Sequence, residues 1–151
     1  MMRHLTREPI ELAPLVVAVQ SAPRGAVVTF LGVVRDHHLG KSVIELEYSA
    51  YEPMADQLAA AIVADAERRW PVRVGLLHRL GRLALGEVAV AVAVAGDHRS
   101  EAFDACRSVI EEVKRRVPIW KRERYRDGTE AWVDPTASGA SHPVIEAGER
   151  A

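Results

Sequence analysis

Basic side chains are the residues of this chain best suited to chemistry, and the most informative of them lie in the segment 97–123. His98 and Arg99 stand at the start of a stretch with helical periodicity, and Lys114 stands near its end, beside the apolar face. A lysine beside apolar surface loses hydration, which lowers its pKa and favours acid–base use. From spacing alone, a surface lysine that complements the helix dipole is the more common arrangement.

The positive charge is local, because the whole chain of 151 residues has a formal net charge of −1. This balance argues against a nucleic-acid partner and favours a confined anion site. Arginine offers a planar fork for phosphate or carboxylate, and lysine offers a movable charge and a proton. The candidate cations are Arg35, His98, Arg99, Lys114, Lys121 and Arg122. They predict a site for a phosphate, a carboxylate or both.

Cys106 is the one cysteine of the chain, and it falls on the apolar stripe of the helix predicted after residue 97. A free cysteine in such a position is usually a small core residue. We therefore expect no nucleophilic thiol, so any sulfur used in the reaction has to come from another molecule. The absence of a disulfide framework, of an apolar leader and of a long apolar run predicts a cytoplasmic protein without a membrane span.

Several familiar catalytic motifs are absent from the sequence: GxxxxGK[ST], GxGxxG after a strand, GxSxG and HExxH. His37 and His38 are adjacent, and neighbours on extended backbone point to opposite sides, which disfavours a shared metal ion. No metal and no cofactor are therefore expected.

The segment that carries the cations is predicted as an amphipathic helix that ends before Pro118. Asp97 or Ser100 is expected to cap its start, and Lys114 lies in its last turn. Its predicted apolar stripe is Phe103, Cys106, Ile110, Val113 and Val117. Lys121, Arg122 and Glu123 are expected in a segment that directly follows the helix.

The remaining pattern predicts an α+β chain with a largely antiparallel sheet, packed helices and a small extra hairpin. We expect one catalytic domain over 1–134 and a flexible tail over 135–151. The strands 26–35 and 43–51 are predicted to pair through a long hairpin. The other predicted elements are a leading edge strand 4–10, helices 11–22 and 53–70, a strand 72–80, a connection 81–86, a strand 87–95 and a hairpin 124–133.

The strand 87–95 alternates valine with alanine, so both of its faces are apolar. Two apolar faces predict a strand that is covered on both sides. Because the alanine face is shallow, a helix or another subunit is expected to pack closely against it.

Five segments together resemble the large, catalytic subunit of molybdopterin synthase. They are GAVVTFLGVVR (25–35), YSAYEPM (48–54), HRLGRLALGE (78–87), DHRSEAF (97–103) and VKRRVPIWKRE (113–123). The signatures HRxxAF and Kx₃PxWKxE are specific, and the resemblance extends over residues 25–133, with little of it in the tail.

The resemblance implies an α/β hammerhead-type fold and a homodimer in which each chain binds one small ubiquitin-like subunit, giving a heterotetramer. The small subunit ends in Gly-Gly and carries sulfur as a C-terminal thiocarboxylate. The implied substrate is cyclic pyranopterin monophosphate (precursor Z), which receives two sulfur atoms and becomes the dithiolene of molybdopterin in molybdenum cofactor biosynthesis.

Carried onto this sequence, the resemblance implies that Lys114 is catalytic, with Lys121 and His98 in supporting catalytic roles. His98 is the alternative proton carrier to Lys114. The implied substrate-binding residues are Val33, Val34, Arg35, His98, Arg99, Lys114, Lys121, Arg122 and Glu123. Phe30 and Met54 are implied only as packing neighbours.

A second interpretation belongs to a different class. The order βαββαβ also occurs in ferredoxin-like modules that bind anions or effectors and catalyse nothing. In such a module the valine–alanine strand would be a dimer face. The paired signatures HRxxAF and Kx₃PxWKxE favour the enzyme.

Overall fold

A computed structural model describes residues 3–133 and 143–146 of the chain. Its helices are α1 (Leu12–Val19), α2 (Glu52–Arg69) and α3 (Arg99–Arg116). Its strands are β1 (Leu5–Thr6), β2 (Ala26–Val33), β3 (His37–His38), β4 (Lys41–Ala50), β5 (Val72–Arg79), β6 (Gly81–Ala84), β7 (Val88–Gly96), β8 (Ile119–Tyr125), β9 (Glu130–Val133) and β10 (Pro143–Glu146). The predicted α+β class is confirmed, with two sheets in place of one.

The first sheet has the strand order β1-β5-β7-β2. β7 is antiparallel to both β5 and β2, and the short β1 runs parallel to β5 at the edge, where the sequence places an edge strand. Ala26 pairs with Gly96, and α3 then returns along β7 and β2. Helix α3 therefore runs in the same direction as β2, so the two elements end at the same side of the sheet.

Strand β7 is covered on both faces, as its alternation predicts. Its valines belong to the main core, together with residues of α2 and α3. Ala93 and Ala95 pack with Val19 of α1 in a second cluster. A helix of the same chain, α1, thus covers the shallow alanine face.

The predicted hairpin between the strands 26–35 and 43–51 is wrong. β2 pairs with β7 in the first sheet, whereas β4 is paired with β8, β6 and β3 in the second. Val34 is still hydrogen-bonded to the turn before β7, and the chain changes sheets after it, where β3 forms a tight hairpin with the start of β4. Pairing of distant strands supplies the larger part of the second sheet.

The connection predicted over 81–86 contains the strand β6, which pairs with β4 from Glu45 to Tyr48. Gly81 has φ 94° and starts this strand with a sharp change of direction that favours glycine. Leu83 is 1% exposed, so one side chain of this short strand is anchored in the core.

Helix α3 ends as predicted, with Lys114 in its last turn and Pro118 just beyond it. Two other predictions about it are wrong. His98 occupies the N-cap position without a side-chain hydrogen bond, and Phe103 is 60% exposed. The small residues Ala102 and Ala105 take the buried positions because α3 lies close to β2 and β7.

The segment 135–151 was predicted as a flexible tail, and residues 143–146 within it form β10, which is antiparallel to β9. The rest of that segment lies outside the described residues. The hairpin predicted at Asp127-Gly128 is confirmed between β8 and β9, although β8 begins earlier, at Ile119. None of the helices in the described part of the chain is long and apolar enough to span a membrane.

Replacement of Ala93 by leucine should lower the free energy of unfolding by about 1–3 kcal/mol, because α1 leaves no room for three more carbons. Ala93 is fully buried, and its neighbours on α1 include Val19. Urea denaturation followed by circular dichroism measures the change. The matched control is Ala84→Leu on an exposed position of β6, expected within about 0.5 kcal/mol of the wild type. Equal stability of both variants would contradict the close packing of α1.

Candidate active site

The two ends of α3 carry different groups of predicted site residues. His98 and Arg99 are exposed at its start, and Lys114 is exposed in its last turn. Lys114 comes sixteen positions after His98 along the helix, which corresponds to about 24 Å at 1.5 Å per residue. Within one chain, these two groups cannot bind the same small group of a substrate.

Lys114 has an unusual setting for an exposed residue. Nearby protein atoms partly desolvate its ammonium group, and this desolvation, followed by the positive charge of Lys121, lowers the pKa of Lys114. The side chain keeps contact with solvent, which limits the size of the effect. In the described part of the chain Lys114 makes no ion pair, so no carboxylate opposes the shift. Lys114 therefore combines access to a ligand with a weakened hold on its proton.

His78 lies near Lys114 and is almost completely buried. Burial, followed by the charge of Lys114, lowers the pKa of His78 to about 4. Its Nδ1 donates to the carbonyl oxygen of Arg79 at 2.9 Å, and the edge of its ring meets Tyr48 with 5.0 Å between ring centroids. His78 is thus neutral at neutral pH and adds no positive charge beside Lys114.

Strand β8 places Lys121 and Glu123 on one face, since alternate residues of a strand point the same way. Lys121 Nζ lies 3.1 Å from Glu123 Oε1. Burial by itself would raise the pKa of Glu123, but hydrogen bonds from Tyr125 and His38 and the charge of Lys121 lower it below its ordinary value. Glu123 is 1% exposed, so it is a carboxylate behind Lys121 and not itself open to a substrate.

Arg122 lies on the opposite face of β8. Its guanidinium contacts Glu47 at 2.5 Å and Glu130 at 3.6 Å, and it stacks over Trp132 at 5.8 Å from the ring centroid. The structure therefore does not bring Arg122 together with Lys121. Its charge is matched by two acids of neighbouring strands, and its substrate-binding role stays a prediction.

Arg35 follows the end of β2, at the side of the sheet where α3 ends. Val34 before it is buried, and its backbone is hydrogen-bonded to Glu87 and Gly86 at 2.9 and 2.7 Å. Val33 is 54% exposed, and Arg35 is exposed and makes no ion pair with the described residues. Val34 thus anchors the loop from the core, and the two flanking side chains are accessible.

The chain direction places Arg35 at the side of the first sheet where Lys114 lies, and the charge of Lys121 acts on Lys114, so these two lysines are close together. Arg35 and Lys114 have no acidic partner in the described part of the chain, and Lys121 shares a single carboxylate. Such a set can neutralise two anionic groups at once and still supply a proton carrier. Phe30 and Met54, implied as packing neighbours, are 37% and 49% exposed.

Sequence reasoning missed the residues that support these cations: His38, Tyr48, His78 and Tyr125. The opposite orientation of His37 and His38 was predicted and is confirmed, since His37 is exposed and His38 is 5% exposed. The signal for Tyr125 was the spacing by two from Lys121 and Glu123. It indicates a strand face, whereas the sequence prediction divides this strand between a segment after the helix, 121–123, and a hairpin, 124–133.

The family model described as MoaE protein matches residues 5–116. The chain belongs to this family. This match and the relatives below confirm the resemblance to molybdopterin synthase catalytic subunits, which are sulfur-transfer enzymes.

Two relatives and one solved structure define the similarity further. A molybdopterin synthase catalytic subunit of Bacillus subtilis is 40% identical over 97% of this chain and 96% of its own length. One from Nostoc sp. is 44% identical over 85% of this chain and 79% of its own length. The crystal structure of molybdopterin synthase from Staphylococcus aureus has a TM-score of 0.82 at 37% identity and covers 86% of this chain and 95% of that one.

Replacement of Lys121 by glutamine should raise the pKa of Lys114 towards its ordinary value, because a neighbouring positive charge is removed. The remaining desolvation should keep that pKa below the value of a fully solvated lysine. Competitive labelling with acetic anhydride as a function of pH, read by mass spectrometry, gives the titration of Lys114.

The matched control is Arg124→Gln, which removes a positive charge from the same strand on its outer face, where Arg124 contacts Glu45 and Glu130. This control should leave the titration of Lys114 unchanged. An unchanged titration in Lys121→Gln would refute the electrostatic coupling of the two lysines.

Proposed function

We propose that this chain is the catalytic subunit of a molybdopterin synthase. It transfers sulfur from the C-terminal thiocarboxylate of a small ubiquitin-like subunit to cyclic pyranopterin monophosphate and so forms the molybdopterin dithiolene. The observation that supports this most is the gathering of Arg35, Lys114 and Lys121 in a member of the MoaE family, at a site without a thiol of its own.

Cys106 is not the sulfur donor in this proposal. It is 4% exposed, and burial raises the pKa of its thiol to about 11. A buried thiol with a raised pKa is a poor nucleophile, because the thiolate is the reactive form. The sulfur must therefore arrive on a partner, as the Gly-Gly thiocarboxylate tail provides.

The two reactants repel each other, because the thiocarboxylate and the substrate phosphate are both anions. Arg35 and Lys121 neutralise them and hold them within reach, which lowers the barrier through proximity and electrostatics. Lys114 then moves a proton while the sulfur attacks a carbon of the pterin side chain and an oxygen leaves that carbon as water. A water molecule then cleaves the bond between the sulfur and the acyl carbon of the tail, which leaves as a carboxylate. The lowered pKa of Lys114 suits this task, since a proton carrier works best when its pKa lies near the working pH.

His98 and Arg99 enter the same site across a dimer of two chains. β2 is an edge strand of the first sheet in the described part of the chain, and it exposes Phe30, Leu31 and Val33. An antiparallel pair of two such edges has a two-fold axis, so each β2 begins where its copy ends. Because α3 runs in the direction of β2, His98 and Arg99 of one chain then lie near Lys114 of the other.

The non-catalytic alternative, a ferredoxin-like effector module, is less well supported. Relatives that match almost the whole chain are named catalytic subunits, and β7 is covered by α1, which removes the dimer face that the alternative needs. The cytoplasmic location predicted from the sequence is retained as part of the proposal.

Replacement of Lys114 by alanine should reduce the rate of dithiolene formation by about 10²- to 10⁴-fold, the range for loss of a general acid or base. The assay mixes the protein with a thiocarboxylated small subunit and precursor Z.

Lys121→Ala should mainly raise KM, because it removes a charge that binds the substrate.

Arg107→Ala is the matched control, since Arg107 is an exposed cation on the same helix. It should keep the wild-type rate, and all variants should bind the small subunit. Near-normal turnover of Lys114→Ala would reduce Lys114 to a surface lysine, and a wild-type protein without dithiolene product would refute the proposed function.

Mixing two inactive variants tests the shared site. In a heterodimer of His98→Ala and Lys114→Ala chains, one site carries both substitutions and the other carries neither, so activity should return to at most about half of the wild type. Refolding the two variants together and separately, followed by the dithiolene assay, makes the comparison. Activity that stays absent in the verified heterodimer would place both residues in one chain's site.

A further inference from the structure

Three side-chain donors hold the Glu123 carboxylate in place. His38 Nδ1 lies 2.7 Å from Oε2, and the Tyr125 hydroxyl donates to the same oxygen at 2.8 Å. Oε1 faces Lys121 Nζ at 3.1 Å. His38 and Glu123 are 5% and 1% exposed. The carboxylate therefore has one orientation, and that orientation sets where the Lys121 ammonium lies.

His38 reaches Glu123 from the loop that carries Arg35. Strand β3 pairs with the start of β4 through His37↔Ser42 and His38↔Lys41. The turn between them has φ 50° at Leu39 and φ 78° at Gly40, the combination that suits a tight two-residue hairpin. This hairpin turns His37 to solvent and His38 inward. Two residues lie between Arg35 and His38, so the three Cα steps place their Cα atoms within about 11 Å of each other.

We propose that His38 is a positioning residue for the sulfur transfer: its Nδ1 fixes the Glu123 carboxylate, which holds the Lys121 ammonium, and the same contact ties the loop of Arg35 to β8. The inference rests on the proposed function and adds to it a residue that touches neither reactant. His38 thus acts on two substrate-binding cations at once, one through Glu123 and one through the chain.

The alternative is a histidine that merely satisfies a buried acid and stabilises the fold. The geometry argues against this purely structural role, because the second oxygen of the same carboxylate contacts Lys121 and not a backbone group. The charged and titratable groups that face Glu123 are His38 from β3, Lys121 and Tyr125 from β8, and Tyr48 from β4. Lys114 of α3 lies beyond Lys121.

Two substitutions of His38 separate the roles. Asparagine places an N–H donor at the same number of bonds from Cβ as Nδ1, whereas leucine fills space without a donor. His38→Leu should lower kcat/KM for dithiolene formation by about 10- to 100-fold, the usual loss when a supporting partner of a site is removed. His38→Asn should stay within about threefold of the wild type.

The matched control is His37→Asn on the adjacent, exposed histidine, whose Nδ1 contacts the neighbouring Asp36. It should keep wild-type activity. Thermal unfolding of every variant checks that the fold is intact. Wild-type activity of His38→Leu, or equal losses in the leucine and asparagine variants, would overturn the proposal.

A double-mutant cycle measures the coupling between His38 and Lys121, which a purely structural role of His38 would not produce. In a Lys121→Ala background, His38→Leu should cause a smaller loss than in the wild type, because the part of its effect that passes through the Lys121 ammonium is already missing. Full additivity of the two losses would overturn the proposal. If His38→Leu fails to fold, Tyr125→Phe replaces it in the cycle. This substitution removes one hydrogen-bond donor to the same Glu123 oxygen and changes the side-chain volume little.

The positioning can also be tested without turnover. Acetic anhydride labelling of Lys121 should be faster in His38→Leu than in His38→Asn at the same pH, because the unfixed carboxylate holds the ammonium less well. Equal labelling would overturn the inference. A wild-type protein that forms no dithiolene counts against the proposed function, whereas this labelling still tests the role of His38.

Discussion

A single buried negative charge, the carboxylate of Glu123, constrains the site more than any other group. A carboxylate without partners in a protein interior costs several kcal/mol, so donors must meet it from every side. Three side chains do so, from the hairpin β3–β4 and from β8 itself. The second sheet must therefore be assembled before Lys121 has a defined position. Its strands come from distant parts of the sequence, which makes the site a product of the whole fold.

The direction of α3 is the second constraint. Gly96 at the end of β7 and Gly25 before β2 allow the chain to turn tightly there, since a Cβ at Gly25 would lie 2.9 Å from the carbonyl oxygen of Asp97. Helix α3 then returns along β2, which puts His98 at one side of the first sheet and Lys114 at the other. In the proposed dimer, each chain would therefore supply residues to two sites, and the two chains would join through the exposed apolar β2 edge.

Local patterns in the sequence predicted the structural features that depend on residues close together in the chain. The valine–alanine alternation of β7 indicated a strand with two covered faces, and Pro118 with the basic residues before it indicated the end of α3. The pairing of β2 with β7 was beyond such reasoning, because register between distant strands depends on the assembled sheets. Phe103 was misplaced for a similar reason: where α3 lies close to a sheet, Ala102 fits the interface and a phenylalanine does not.

The same local reasoning treated Lys121, Arg122 and Glu123 as one binding segment, and the strand separates them. Arg122 is matched by Glu47 and Glu130 on the outer face, while Lys121 and Glu123 face inward as a pair. This pairing gives the two lysines of the site different properties. The Glu123 carboxylate lies 3.1 Å from the Lys121 ammonium and holds it in place. Lys114 has no such partner in the described part of the chain, and desolvation, followed by the charge of Lys121, lowers its pKa. In the proposed reaction, this difference fits Lys121 for charge binding and Lys114 for proton transfer.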